Sequence, residues 1–72
     1  MKMKRGGNVS KFAENLRDAR KRAGRTQEWM AEQLQIHRTT YTRYETGSTE
    51  PSLEMFCQIA KLLEVHPAEL LE

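Results

Sequence analysis

Arg38, Thr39, Thr42 and Arg43 are the residues of this chain whose types and spacing point most directly to chemistry. Positions three and four apart share one face of a helix, so the four project together. No acidic residue interrupts the stretch Arg38 to Arg43. A guanidinium can bond the two acceptors of guanine bidentately, and threonine can bond a base edge or touch the thymine methyl. A polar, acid-free face of this kind suits the major groove of duplex DNA. Upstream, Thr26 and Gln27 stand at the start of another helical segment. That end presents unpaired amides and a positive dipole to a phosphate. Catalytic sets are not found. No Ser-His-Asp arrangement, metal cluster or phosphate loop can be assembled, so the chain is not expected to be an enzyme or to hold a cofactor. His37 and His66 lack carboxylate or cysteine neighbours at ligand spacing and read as helix caps, with no metal site. Cys57 has no base beside it and reads as a structural thiol near the buried face of its helix.

The elements that must position these groups are short helices. A first helix is predicted over about 11–23, with Ser10 as N-cap. Phe12, Leu16, Ala19 and Ala23 form its apolar stripe, and Gly24 is its left-handed stop. A second runs from Gln27 to Leu34, capped by Thr26, with Met30, Ala31 and Leu34 inward. Gln35-Ile36-His37 breaks the chain. A third runs from Arg38 to Thr46, with Ile36, Tyr41 and Tyr44 inward and Gly47 at its end. A fourth is capped by Ser52 and turns Leu53, Phe56, Ile59, Ala60 and Leu63 inward. His66-Pro67 opens a last turn or short helix, because proline suits the first helical position and Glu69 stands where a capping-box acid belongs. No stretch alternates as a half-buried strand does. The fold class is therefore all-α, a compact domain of five short helices. Two helices joined by three residues cross steeply, which defines a central helix-turn-helix. Ala31 is the small residue expected where they touch.

Bulk properties bound the reading. A chain of 72 residues is one domain. It buries only about 60% of its unfolded surface, which leaves little room for a deep pocket. No apolar run spans a membrane. The basic segment before Val9 has no apolar stretch after it, so no secretory signal is read, and one cysteine gives no sign of an oxidising compartment. A cytoplasmic location follows as the expectation. Net charge is +2, but nine basic residues lie between Lys2 and Arg25 against Glu14 and Asp18, while Thr26 onward carries three basic and eight acidic residues. Such asymmetry fits a polyanion partner on one face. The plainer reading is a solvated helix face for Arg17, Lys21, Arg22 and Arg25. Residues 1–9 read as a flexible basic arm, idle or reaching into a groove. The domain proper is placed at 10–72.

The chain resembles the phage-repressor and Cro type of helix-turn-helix family, also called the xenobiotic response element type. The matching text is Leu16-Arg17-Asp18-Ala19-Arg20, Thr26-Gln27-Glu28, Met30-Ala31, Leu34, Ile36, Arg43-Tyr44-Glu45-Thr46-Gly47, Glu50-Pro51-Ser52-Leu53-Glu54 and Ile59-Ala60-Lys61-Leu62-Leu63. The resemblance covers Phe12 to Leu71. It implies a transcriptional regulator, a repressor, that binds double-stranded DNA with the third helix in the major groove. Arg38, Thr39, Thr42 and Arg43 are implied to face base edges. Thr26, Gln27, Thr40, Thr49, Glu50 and Leu53 are implied to face phosphates. Arg20 and Glu45 match a partly buried ion pair between the first helix and the end of the third.

Three positions depart from the family pattern. Gln35 and Glu64 stand where glycine is usual, and Trp29 replaces a usually polar residue. Trp29 is either folded onto the first helix or open to a partner. Leu62, Val65, Leu70 and Leu71 exceed what one small core readily absorbs, so a homodimer on a pseudo-palindromic operator is expected. A further protein partner, a toxin or co-regulator, stays open. The rival class is a protein-protein adaptor on the same fold, whose third helix would be acidic or apolar outside.

Overall fold

The computed structural model describes residues 11–72. The arm and Ser10 lie outside these residues. In chain order the described residues form α1 (Lys11–Arg22), α2 (Gln27–Leu34), α3 (Arg38–Thr46) and α4 (Leu53–Leu62), then one 3-10 turn, Pro67–Leu70. The expected count of five helices is thus corrected to four α-helices. The last start signal is present, since Ala68 N–H donates to His66 Nδ1 at 3.1 Å and His66 N–H donates to Glu69 Oε2 at 3.3 Å. The segment it opens closes only a tighter four-residue turn, which drops Leu70 into the core.

The core forms where the apolar stripes meet. Leu16, Met30, Tyr41, Ile59 and Leu70 are its largest fully buried side chains. Each stripe obeys helical spacing, so one face of each helix is covered and the other wet. Ala31 is buried in the same cluster, without the bulk that would hold α2 and α3 apart. At the other end of the domain Phe12 meets Phe56 at 5.6 Å between ring centres, and Asn15 donates to the carbonyl of Leu70 at 3.1 Å. These contacts fasten α1 to α4 and to the final turn.

All four α-helices stop in the same manner. The chain turns left-handed at Gly24, Gln35, Gly47 and Glu64, with φ of +73, +58, +83 and +59°. At all four turns the amide just after the left-handed residue reaches five residues back: Arg25 to Arg20, Ile36 to Ala31, Ser48 to Arg43 and Val65 to Ala60, at 3.0–3.2 Å. These bonds satisfy carbonyls that a helix end leaves open.

Several expected inward residues lie elsewhere. Ala23 is exposed, because α1 ends one residue before it. Leu53 is 78% exposed at the first position of α4, ahead of the face that packs. Cys57 is exposed rather than near the buried face. Leu70 is buried, while Leu62 and Val65 pack against the core, so one domain absorbs three of the four C-terminal apolar residues. Only Leu71, 62% exposed, remains outside.

Gln35 and Glu64 hold a conformation that costs a side-chain-bearing residue roughly 1–2 kcal/mol. Gln35→Gly and Glu64→Gly should each raise stability, by up to about 1 kcal/mol once the greater freedom of glycine in the unfolded chain is subtracted. Denaturant midpoints check this. A lower midpoint for both variants would show that the turns are not strained.

Candidate nucleic-acid interface

The candidate interface is built on one buried carboxylate. Glu45, 6% exposed, is the buried charged residue of the described chain. Its position follows from helix geometry: Tyr41, Tyr44 and Glu45 share the inner face of α3. Arg20 reaches it from α1 with Nε at 2.6 Å from Oε2 and Nη2 at 3.2 Å from Oε1. Gln27 Nε2 donates to Oε1 at 3.0 Å, and the Tyr41 hydroxyl donates to Oε2 at 2.5 Å. Each carboxylate oxygen therefore accepts two hydrogen bonds. A buried charge is tolerated only when it is paired and its lone pairs are satisfied, and here both conditions hold.

The titration behaviour follows from the same contacts. Burial by itself would raise the Glu45 pKa. The hydrogen bonds from Arg20, Tyr41 and Gln27 more than offset this and hold it below the usual carboxylate value. The bond to Glu45 raises the Arg20 guanidinium above its ordinary value. Burial, then the Glu45 hydrogen bond and charge, push the Tyr41 phenol well up, so it stays a donor.

On the outer side of α3 an open groove is lined by Gln27, Arg38, Thr39, Thr42, Arg43 and Thr46. The structure brings all four implied base-facing residues together there, with Gln27 beside them. Arg38, Thr39 and Arg43 are exposed, and Thr42 is half-buried. No carboxylate lines the groove. Arg38 Nη1 lies 3.5 Å from Glu28 Oε2, with both side chains more than half exposed. An exposed pair contributes little, so it holds Arg38 only weakly. Gln27 Oε1 stands 3.5 Å from both Arg38 Nη2 and Thr42 Oγ1. The side chain of Gln27 therefore bridges Glu45 and the groove, a link that sequence reasoning missed and that no local pattern signals.

The residues implied at phosphates are spread around this groove. Thr26 caps α2, its Oγ1 accepting from Trp29 N–H at 2.9 Å, and leaves the first-turn amides of Gln27 and Glu28 without a helical acceptor. Thr40 is half-buried and does not line the groove. Thr49 N–H is engaged with the carbonyl of Arg43 at 3.4 Å. Glu50 is exposed, and Leu53 opens α4 behind Ser52, whose Oγ accepts from Met55 N–H at 3.1 Å. His37 holds the N-cap position of α3 but makes no side-chain cap bond. Among the described residues no group of histidine, cysteine or carboxylate side chains has metal-binding geometry. No helix there is long and apolar enough to cross a membrane.

This arrangement defines a helix-turn-helix, and the chain belongs to the helix-turn-helix domain family, whose model matches residues 11–72. The chain is 44% identical over 54 residues to an uncharacterized HTH-type transcriptional regulator, YqaE, of Bacillus subtilis, covering 75% of this chain and 47% of that protein. It is 38% identical over 60 residues to the cryptic phage CTXphi transcriptional repressor RstR of Vibrio cholerae, covering 83% and 54%. The chain thus spans about half the length of these curated relatives. Among solved structures it is similar to the restriction-modification controller protein C.AhdI of Aeromonas hydrophila. That match has a TM-score of 0.79 and 31% identity, and covers 86% of this chain and 94% of that one.

Removing Glu45 strands Arg20 inside the domain. Glu45→Ala should cost roughly 3–5 kcal/mol, seen as a large fall in melting temperature. The carboxylate is depressed in the folded state, so its contribution is complete above the ordinary value of 4.5. It is lost as pH falls through the lower folded value. Acid titration of stability should therefore show a drop beginning below about pH 4.5 in wild type that is absent in Glu45→Gln.

Proposed function

We propose that this domain is a sequence-specific binder of double-stranded DNA that acts as a transcriptional repressor, reading the major groove with α3. The observation that carries this reading is the groove lined by two arginines and three threonines, free of carboxylates and open to solvent. Its floor is a helix fixed from beneath by the Glu45 network. Rigid support matters, because a base-reading side chain must be held near its productive position. Arg38, Thr39, Thr42 and Arg43 face base edges. Thr26 and Gln27 at α2, Thr40, and the backbone amides of the segment through Thr49, Glu50 and Leu53 face the phosphates. The relatives named as a transcriptional regulator, a phage repressor and a restriction-modification controller support a regulatory role. The acid-free groove disfavours the adaptor reading.

The working species proposed is a homodimer on a pseudo-palindromic operator, in the cytoplasm. One nine-residue α3 reads only a few base pairs, and a two-fold pair places two such helices about 10–10.5 base pairs apart. The exposed Leu53 and Leu71 flank a groove floored by Phe12 and Phe56, which is the apolar surface left for such a contact.

Base contacts specify and phosphate contacts position. Arg43→Ala should cost about 1–3 kcal/mol and relax preference at one or two base pairs per half-site. Sites are first selected from a random duplex pool, then bound as a panel of single base changes. An even loss across the panel would remove Arg43 from base reading. A selected site with one unrepeated motif, bound by a single chain, would remove the dimer.

A further inference from the structure

Trp29 lies on α2 about 200° around the helix from Gln27, hence on the flank away from the reading groove. Its ring is packed against the core and lies beneath Arg25, whose guanidinium carbon stands 4.1 Å from the ring centre. Arg25 is held at its backbone on both sides. Its N–H donates to the carbonyl of Arg20 at 3.2 Å, and its carbonyl accepts from Arg20 Nη1 at 2.9 Å. Arg20 is in turn locked on Glu45. Among the described residues no carboxylate pairs with Arg25. An exposed arginine ordinarily samples many rotamers, and its charge is spread over the volume it sweeps. Here the backbone ahead of α2 is pinned to Arg20, and the guanidinium, unpaired with any carboxylate among the described residues, rests on the face of one tryptophan.

We propose that Arg25 is a DNA-phosphate contact and that Trp29 is the residue that positions it. The proposal rests on the DNA-binding reading and extends it. The contact falls on the backbone outward of the reading groove, flanking the half-site rather than within it. Stacking removes rotamer freedom before DNA arrives, so less is lost on binding. A guanidinium can lie flat on an aromatic face and still direct its edge N–H groups at a phosphate. The contact carries no sequence information, because every backbone phosphate is alike.

The test measures duplex affinity against salt concentration, on a selected site, for the full chain. Arg25→Ala should flatten the slope of log affinity against log salt by about 0.9, the loss of one phosphate contact, and leave the base-change panel in the same rank order. Trp29→Leu should produce the same flattening. In the Arg25→Ala background it should add nothing, since two residues that act as one unit are not additive. Trp29→Phe keeps a ring and should keep the slope. Arg25 is exposed, so Arg25→Ala is expected to fold. Should Trp29→Leu not fold, Arg25→Lys replaces it: loss of most of the contact with the charge retained supports positioning by the ring. An unchanged slope in Arg25→Ala overturns the contact. Equal losses from Trp29→Leu with and without Arg25, or a wild-type slope in Arg25→Lys, overturn the positioning. A wild-type chain that binds no duplex overturns the DNA-binding reading itself, and this proposal with it.

Discussion

The rest of the structure depends on the Glu45 carboxylate being surrounded by donors. Four hydrogen bonds from three different parts of the chain converge on its two oxygens. Arg20 belongs to α1, Gln27 to α2, and Tyr41 and Glu45 to α3. The three helices around the candidate interface are thereby referred to one point. Apolar packing is non-directional and would tolerate small rotations of α3. A multiply bonded charge in a poorly solvated site does not, because any rotation leaves a donor or acceptor unpaired. The network therefore fixes the azimuth of α3, and with it which side chains face outward.

That arrangement also makes the buried network and the proposed reading groove share parts. Gln27 uses its amide nitrogen on Glu45 and its amide oxygen toward Arg38 and Thr42. Arg20 uses one guanidinium nitrogen on the carbonyl of Arg25, just ahead of the Thr26 cap. The start of α2 is thus tied to the buried pair both by side chain and by main chain. Tyr41 closes the set from below, and its edge-on contact with Tyr44 at 6.3 Å continues the support along α3.

Much of this was legible in the sequence because the signals are local. Thr26 before a helical stripe and Gln35-Ile36-His37 after it bound α2 without reference to the rest of the fold. The outer face of α3 was legible because its polar residues recur at helical spacing opposite two tyrosines. The margins of the helices were not legible. Leu53 satisfies the apolar period of α4 yet precedes the packed face, and Cys57 lies just past its edge. Periodicity gives the direction of a stripe but not its width, which depends on the neighbours. The placement of Leu62 and Val65 failed for the same reason, since the room available to them is set by α2 and the final turn. Gln27's bridge was illegible because it joins residues eighteen apart through side-chain rotamers.

The four left-handed stops have a consequence for how the chain finds its fold. At three of them the closing hydrogen bond spans five residues, and at α3 Ser48 reaches back to Arg43 across the same distance. Information that ends a helix is therefore contained within the helix and its next two or three residues. Segments with such local contacts close quickly, and chains dominated by them reach the native topology fast. What the ends cannot encode is the meeting of α1 with α3, across twenty-five residues from Arg20 to Glu45. That long closure, like the still longer one from Asn15 to Leu70, is left to the slower stage of folding, and it completes the buried pair beneath α3.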